Sequence, residues 1–218
     1  MNDKIRDALI AMSSLVPVVG GTISFILDKY LPSEAEKKKE AFLQQLSEDI
    51  TQIKEEIDVR NLETPEFQAI FTRIIHAVIE EYRQEKIVAF RNITINLISN
   101  PNILNFNKAD FYSRLVVMLI PDEIKMLYLF YLLDVKNELQ ELDDNPARRD
   151  IYSIAVKVWG CIDKEYFGAL TTNCTRYYLI WSSKAQQKRS SRDGLFLSEL
   201  GKGFVRYIFE PIEVRLNE

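Results

Sequence analysis

A single histidine, His76, is the only imidazole in this chain of 218 residues. It lies between Ile75 and Ala77 in a stretch of helical apolar spacing, and no cysteine, serine or carboxylate motif is placed to work with it. The expectation is a partly buried structural histidine. Two cysteines, Cys161 and Cys174, form no CxxC and have no second histidine near them, so a zinc site lacks ligands. Acidic pairs occur at Glu55–Glu56, Glu80–Glu81, Asp122–Glu123 and Asp143–Asp144. Neighbours on a helix point about 100° apart, so neither pair member converges on one substrate, and solvated helix faces are expected. The phosphate-binding, dinucleotide-binding, metalloprotease and nucleophile-elbow motifs are all missing from the sequence. These residues predict no catalytic group, no metal and no cofactor.

One segment offers binding chemistry instead. The polar stretch SSKAQQKRSSRDG, residues 182–194, carries Lys184, Lys188, Arg189 and Arg192 against the single Asp193. Such a loop can lie along a phosphate backbone, or be a solvated hairpin tip beside core aromatics. Tyr177, Tyr178 and Trp181 precede it. The helix before it, Asp163–Tyr178, offers only Lys164 and Arg176 against Asp163 and Glu165, which counts against sequence-specific reading of DNA. Charge is uneven along the chain: residues 1–145 carry 16 Lys/Arg against 24 Asp/Glu, and residues 146–218 carry 12 against 8. That asymmetry predicts two units, an acidic one over 1–145 and a basic one over 146–218, divided where Glu138–Asp144 runs into Asn145-Pro146.

The elements that position these residues follow from spacing. Seven Gly and seven Pro are few for a turn-rich β protein, and the apolar positions recur at helical intervals, so the fold is expected to be mainly α. Residues Ala8–Leu27 form an uncharged run of 20, interrupted by Pro17, Gly20 and Gly21, which favour two short apolar helices over one bilayer span. Ser33 and Glu36 form a capping box before a stripe at Phe42, Leu46, Ile50, Ile53 and Ile57. Thr64-Pro65 opens a second stripe, Phe67 to Tyr82, whose periodicity continues through Phe90 and Leu97 until Asn100-Pro101. Helices follow around Asp110–Leu119 and after Pro121, where Met126–Leu133 is apolar or aromatic throughout and must be buried on most sides. The rest reads helix (Arg148–Trp159), helix (Asp163–Tyr178), strand (Leu179–Trp181), basic loop, strand (Leu195–Leu197), and a helix capped by Ser198.

That order, with LFLSELGKGFVRYI at Leu195–Ile208, resembles winged-helix domains, in which a Ser/Thr cap precedes a glycine and then a hydrophobic pair. Here those positions are Ser198, Gly201, Phe204 and Val205. The whole layout is similar to uncharacterised prokaryotic helical proteins of the abortive-infection alpha type, which would imply a phage-defence setting. Residues 8–57 resemble the HeLo-like pattern of an apolar, glycine-bearing segment before a helical bundle. That likeness implies a membrane-acting, cell-death type effector using Pro17, Gly20 and Gly21. The expectation is therefore a helical bundle followed by a small winged-helix-like unit with a short β-hairpin. Its function would be non-enzymatic: an interaction or regulatory protein that binds a protein or nucleic-acid partner through the C-terminal unit. With two cysteines and no secretory leader pattern, the cytoplasm is the expected compartment.

Overall fold

The computed structural model describes residues 32–52, 62–99, 106–142, 150–182 and 194–209. Within them the chain is mainly helical, with one two-stranded antiparallel hairpin. The elements are α1 (Pro32–Gln52), α2 (Pro65–Glu80), α3 (Gln84–Ser99), α4 (Phe106–Met118), α5 (Pro121–Asp134), α6 (Ile151–Trp159), α7 (Lys164–Arg176), β1 (Ile180–Ser182), β2 (Leu195–Leu197) and α8 (Glu199–Phe209). The apolar run Ala8–Leu27, the boundary residues Asp143–Pro146 and the wing residues Lys184, Lys188, Arg189 and Arg192 lie outside the described residues, as does the side chain of Ser33.

By compactness the chain falls into two units, residues up to Met118 together with Tyr207 onward, and Leu119–Arg206. These are not the two charge-defined segments. Helix α5, which the charge balance grouped with the acidic half, packs against α7 and β2. The cause is long-range and local charge does not report it: the Asp134 carboxylate at the end of α5 accepts the Leu197 N–H of β2 at 2.6 Å.

In the first unit α1 to α4 pack on one another through the stripes read from the sequence. Phe42, Leu46 and Ile50 of α1 are buried, as are Phe67, Ile70, Phe71, Ile74, Ile75 and Val78 of α2. Thr64 caps α2 by accepting the Phe67 N–H, and Pro65 fills a first-turn position where a missing N–H costs nothing. Helix α3 is enclosed on nearly all sides from Asn92 to Ile98. Its buried amides Asn92 and Asn96, one turn apart, donate to the carbonyls of Ile208 (2.7 Å) and Tyr207 (2.8 Å). Those carbonyls lie at the end of α8, where a helix has no further N–H groups to offer them.

The continuous helix expected from Thr64 to Ser99 is broken at Glu81–Arg83, and Tyr82, placed in the buried stripe by its spacing, is 76% exposed. No proline or glycine marks the break. Glu81 makes it: its backbone is extended (φ −86°, ψ 145°), and its buried carboxylate accepts the N–H groups of Tyr82 (3.0 Å) and Arg83 (3.1 Å). It also takes Arg83 Nε at 2.6 Å and Lys86 Nζ at 3.3 Å. Lys86, itself buried, donates to the Val117 carbonyl at 2.9 Å, and Lys38 of α1 donates to the carbonyls of Ile79 and Glu81. One end of all four helices is tied through these groups.

Burial alone would raise the Glu81 pKa. The hydrogen bonds from the Arg83 side chain and from the Arg83 and Tyr82 backbone, with the charge of Lys86, outweigh it and hold the group at about 2 against an ordinary 4.5. A carboxyl depressed in the folded state stabilises above its unfolded pKa, and that contribution fades as pH falls from about 4.5 towards about 2. Glu81→Gln should therefore cost on the order of 2 kcal/mol at neutral pH, a loss that shrinks towards zero near pH 2. Denaturant unfolding of both proteins across this range measures it; a cost independent of pH would contradict the assignment.

Candidate interaction site

In the second unit α5, α7, β1 and β2 pack together, and Phe167 of α7 takes Tyr152 and Trp159 of α6 in aromatic contact. The buried face of α5 comprises Met126, Leu127, Leu129, Phe130, Tyr131 and Leu133, while Tyr128 is partly exposed. Glu123, expected on a solvated face, is buried. It returns one oxygen to the Ile120 N–H at 2.9 Å, closing the start of α5, and accepts Asn173 Nδ2 of α7 on the other at 3.0 Å. Its neighbour Asp122 accepts the Tyr166 hydroxyl at 2.8 Å, and this bond holds the phenol above its ordinary range. The pair thus works on backbone and neighbouring side chains.

The order read from the sequence is present as α6, α7, β1, β2 and α8. Asp163 caps α7 by accepting the Tyr166 N–H at 2.7 Å. The end of α7 is a Schellman turn: Leu179 N–H reaches the Cys174 carbonyl and Tyr178 N–H the Thr175 carbonyl, both at 3.0 Å. Its left-handed position, usually glycine, is Tyr178, with φ +57°. Burial pushes the Cys174 thiol beneath this turn well above its ordinary range, and the charge of Glu123 adds to the rise. Cys161 is exposed.

The hairpin pairs Ile180 with Leu197, Trp181 with Phe196 and Ser182 with Leu195. Trp181 and Phe196 stack across it with centroids 5.1 Å apart. Ser198 then makes three hydrogen bonds, which tie the end of α7 to the start of α8. Its N–H donates to the Leu179 carbonyl at 2.9 Å, its hydroxyl donates to the Tyr178 carbonyl at 2.5 Å, and its Oγ accepts the Gly201 N–H at 2.8 Å. The buried Gly201 lies directly against Leu179: a Cβ there would run into the Leu179 carbonyl oxygen and come within 2.9 Å of Leu197 Cδ1.

What this scaffold presents outward is Tyr178, 76% exposed, beside a cleft of about 560 Å3 lined by Thr171, Thr172, Thr175, Arg176, Tyr178 and Leu195. The three threonine hydroxyls donate within α7, to the carbonyls of Gly168, Gly168 and Thr171, so they face the cleft as acceptors. Arg176 is the cation of the lining. Residues 183–193, which leave from this hairpin, are outside the described residues. A second cleft of about 480 Å3 opens between the start of α5 and the α6–α7 turn, lined by Asp122, Lys125, Trp159, Cys161, Asp163 and Tyr166 among others.

His76 is exposed on α2, not partly buried as its apolar neighbours suggested, because it falls on the opposite face from Ile74, Ile75 and Val78. Among the described residues no group of three or more His, Cys, Asp or Glu side chains could hold a metal ion, and no helix is long and apolar enough to cross a membrane. Comparison with known proteins returns no matching family model, no matching curated protein and no matching solved structure. Tyr178 was named in the sequence only as a neighbour of the loop; its positive φ has no signature there.

The Gly201 contact gives a direct test. In an ordinary helix Gly→Ala gains up to about 1 kcal/mol. Here Gly201→Ala should cost about 1–3 kcal/mol through overpacking, seen as a lower melting temperature. An alanine variant as stable as the parent would contradict the close approach.

Proposed function

We propose that this protein is non-catalytic and acts by binding a macromolecular partner through the hairpin end of its second unit. The partner is a protein that meets Tyr178, Arg176 and the threonine-lined cleft. Tyr178 carries the reading. A large aromatic side chain is held in a backbone conformation that costs about 1 kcal/mol or more for a non-glycine residue. It points into solvent, where it contributes little to the core. Tyr and Arg are the residue types that most often anchor protein interfaces. The hydrogen-bond polarity of the cleft agrees, since inward-donating threonines offer acceptors to N–H groups and little to a phosphate.

Nucleic acid is the rival partner, favoured by the sequence charge of Lys184, Lys188, Arg189 and Arg192. The two differ in salt response. Phosphate contacts release counterions and make affinity fall steeply with salt, whereas an aromatic-anchored protein interface is far less sensitive.

Tyr178→Gly separates folding from function. It should raise stability by about 1 kcal/mol by removing the left-handed strain, and it should also weaken partner retention. Thermal unfolding and quantitative co-purification of the full chain from its own cells, at low and high salt, read both effects. A more stable variant that keeps its partner unchanged would remove Tyr178 from the interface.

A further inference from the structure

The cleft of about 480 Å3 between the start of α5 and the α6–α7 turn shares no lining residue with the hairpin end. Its size suits a small organic molecule or one long side chain. The turn builds it. Helix α6 stops at Trp159, where Gly160, at φ +83°, carries the chain around and its N–H closes on the Val156 carbonyl at 2.9 Å. The Tyr152 hydroxyl then holds the Ile162 carbonyl at 3.1 Å, and Asp163 opens α7. Trp159, Ile162 and Tyr166 thereby line one cleft. Both rings are anchored before any ligand arrives. Trp159 lies against Phe167 with centroids 6.4 Å apart, and the Tyr166 hydroxyl is fastened to Asp122 at 2.8 Å while its side chain stays exposed.

The charged lining is Asp122, Lys125 and Asp163, two carboxylates to one ammonium. Asp122 is answered within the cleft: Lys125 stands 3.8 Å away, and the Tyr166 hydroxyl donates to it. Asp163 is not. It accepts the Tyr166 N–H as the α7 cap, and among the described residues no cation pairs with it. Lys164, next in sequence, carries its ammonium over the Tyr152 ring at 5.8 Å. The hydrogen bond to Asp122 and the charges of Asp122 and Glu123 hold the Tyr166 phenol above its ordinary range, which marks negative potential at that wall. Helix starts suit anions, but at α5 and α7 those places are held by Asp122 and Asp163. A bare metal ion is not suited either, because among the described residues no three ligating groups converge. Aromatic walls with surplus negative charge fit a cation dressed in alkyl groups.

We propose that this cleft binds a substituted organic ammonium group, seated against Trp159 and Tyr166 and paired with Asp163. The same chemistry is offered by a small quaternary ammonium compound and by a methylated lysine side chain. This site does not depend on the partner proposed for the hairpin end.

The test is a titration of the full chain carrying Trp181→Phe, in which Trp159 is the remaining tryptophan and its fluorescence reports the cleft. The probes are choline, neutral dimethylbutanol (carbon in place of the nitrogen), a trimethyllysine peptide and benzoate, all at constant ionic strength. Choline should give a saturable change, and dimethylbutanol should bind at least about fivefold more weakly. Asp163→Asn keeps the cap, since asparagine accepts the same N–H, so the melting temperature should hold while choline binding weakens at least about fivefold. The comparison of choline with dimethylbutanol can also be read on the parent chain by ligand NMR, so it does not rest on any variant folding. Saturation by choline or by the peptide supports the site, and the tighter of the two names its source. The proposal fails if neither saturates, or if dimethylbutanol binds as well as choline. It fails if a folded Asp163→Asn variant keeps full affinity. It fails equally if benzoate binds more tightly than either cation, which would make Lys125 the recognising group.

Discussion

The Leu179 carbonyl accepts the Ser198 N–H and lies against the bare Cα of Gly201, and through that meeting of backbones the second unit acquires its hairpin end. Helix α7 has to stop at Arg176, before Leu179 turns inward, which the Schellman turn through Tyr177 and Tyr178 accomplishes. Strand β1 leaves from this point and β2 returns to it, with Ser198 closing the hairpin and opening α8 in the same residue. Asp134 secures the returning strand from α5. With Leu179 fixed inside, the residue before it must turn outward at positive φ. The exposure of Tyr178 is thus a consequence of the same contact that builds the hairpin.

The first unit solves a comparable problem with charge. Four helix ends meet where Glu81 receives two backbone N–H groups and two side-chain cations, and Lys38 and Lys86 take the carbonyls that the helix ends leave over. A buried charge is costly unless paired and hydrogen-bonded. Here each of these charges completes a backbone account, as Asn92 and Asn96 do for the end of α8. The break between α2 and α3 and the joining of four helices are one event.

What the sequence revealed followed from local periodicity and local caps. The stripes of α1 and α2, the Thr64 and Ser198 caps, the enclosed α5 and the two short strands were all legible, because each depends on residues a few positions apart. What it concealed depends on distant partners. Glu81 and Glu123 read as solvated charges, since nothing nearby in sequence names Asn173 or the helix break that buries Glu81. Helix α5 was grouped with the acidic half because its tie to β2 spans 63 residues. Gly201 was noticed through a family likeness, and only the approach of Leu179 explains it. The outward, left-handed setting of Tyr178 was not foreseen, because a left-handed tyrosine has no sequence signature.

On the second unit an aromatic side chain is held outward beside a threonine-lined cleft at some conformational cost. The most direct measurement of the interaction account is amide hydrogen exchange on the full chain in the complex it forms in its own cells, compared with the released chain. The account predicts that protection gained on binding concentrates in residues 172–182 and 194–197. Protection confined to the outer faces of α2 and α4, with the hairpin end unchanged, would contradict it.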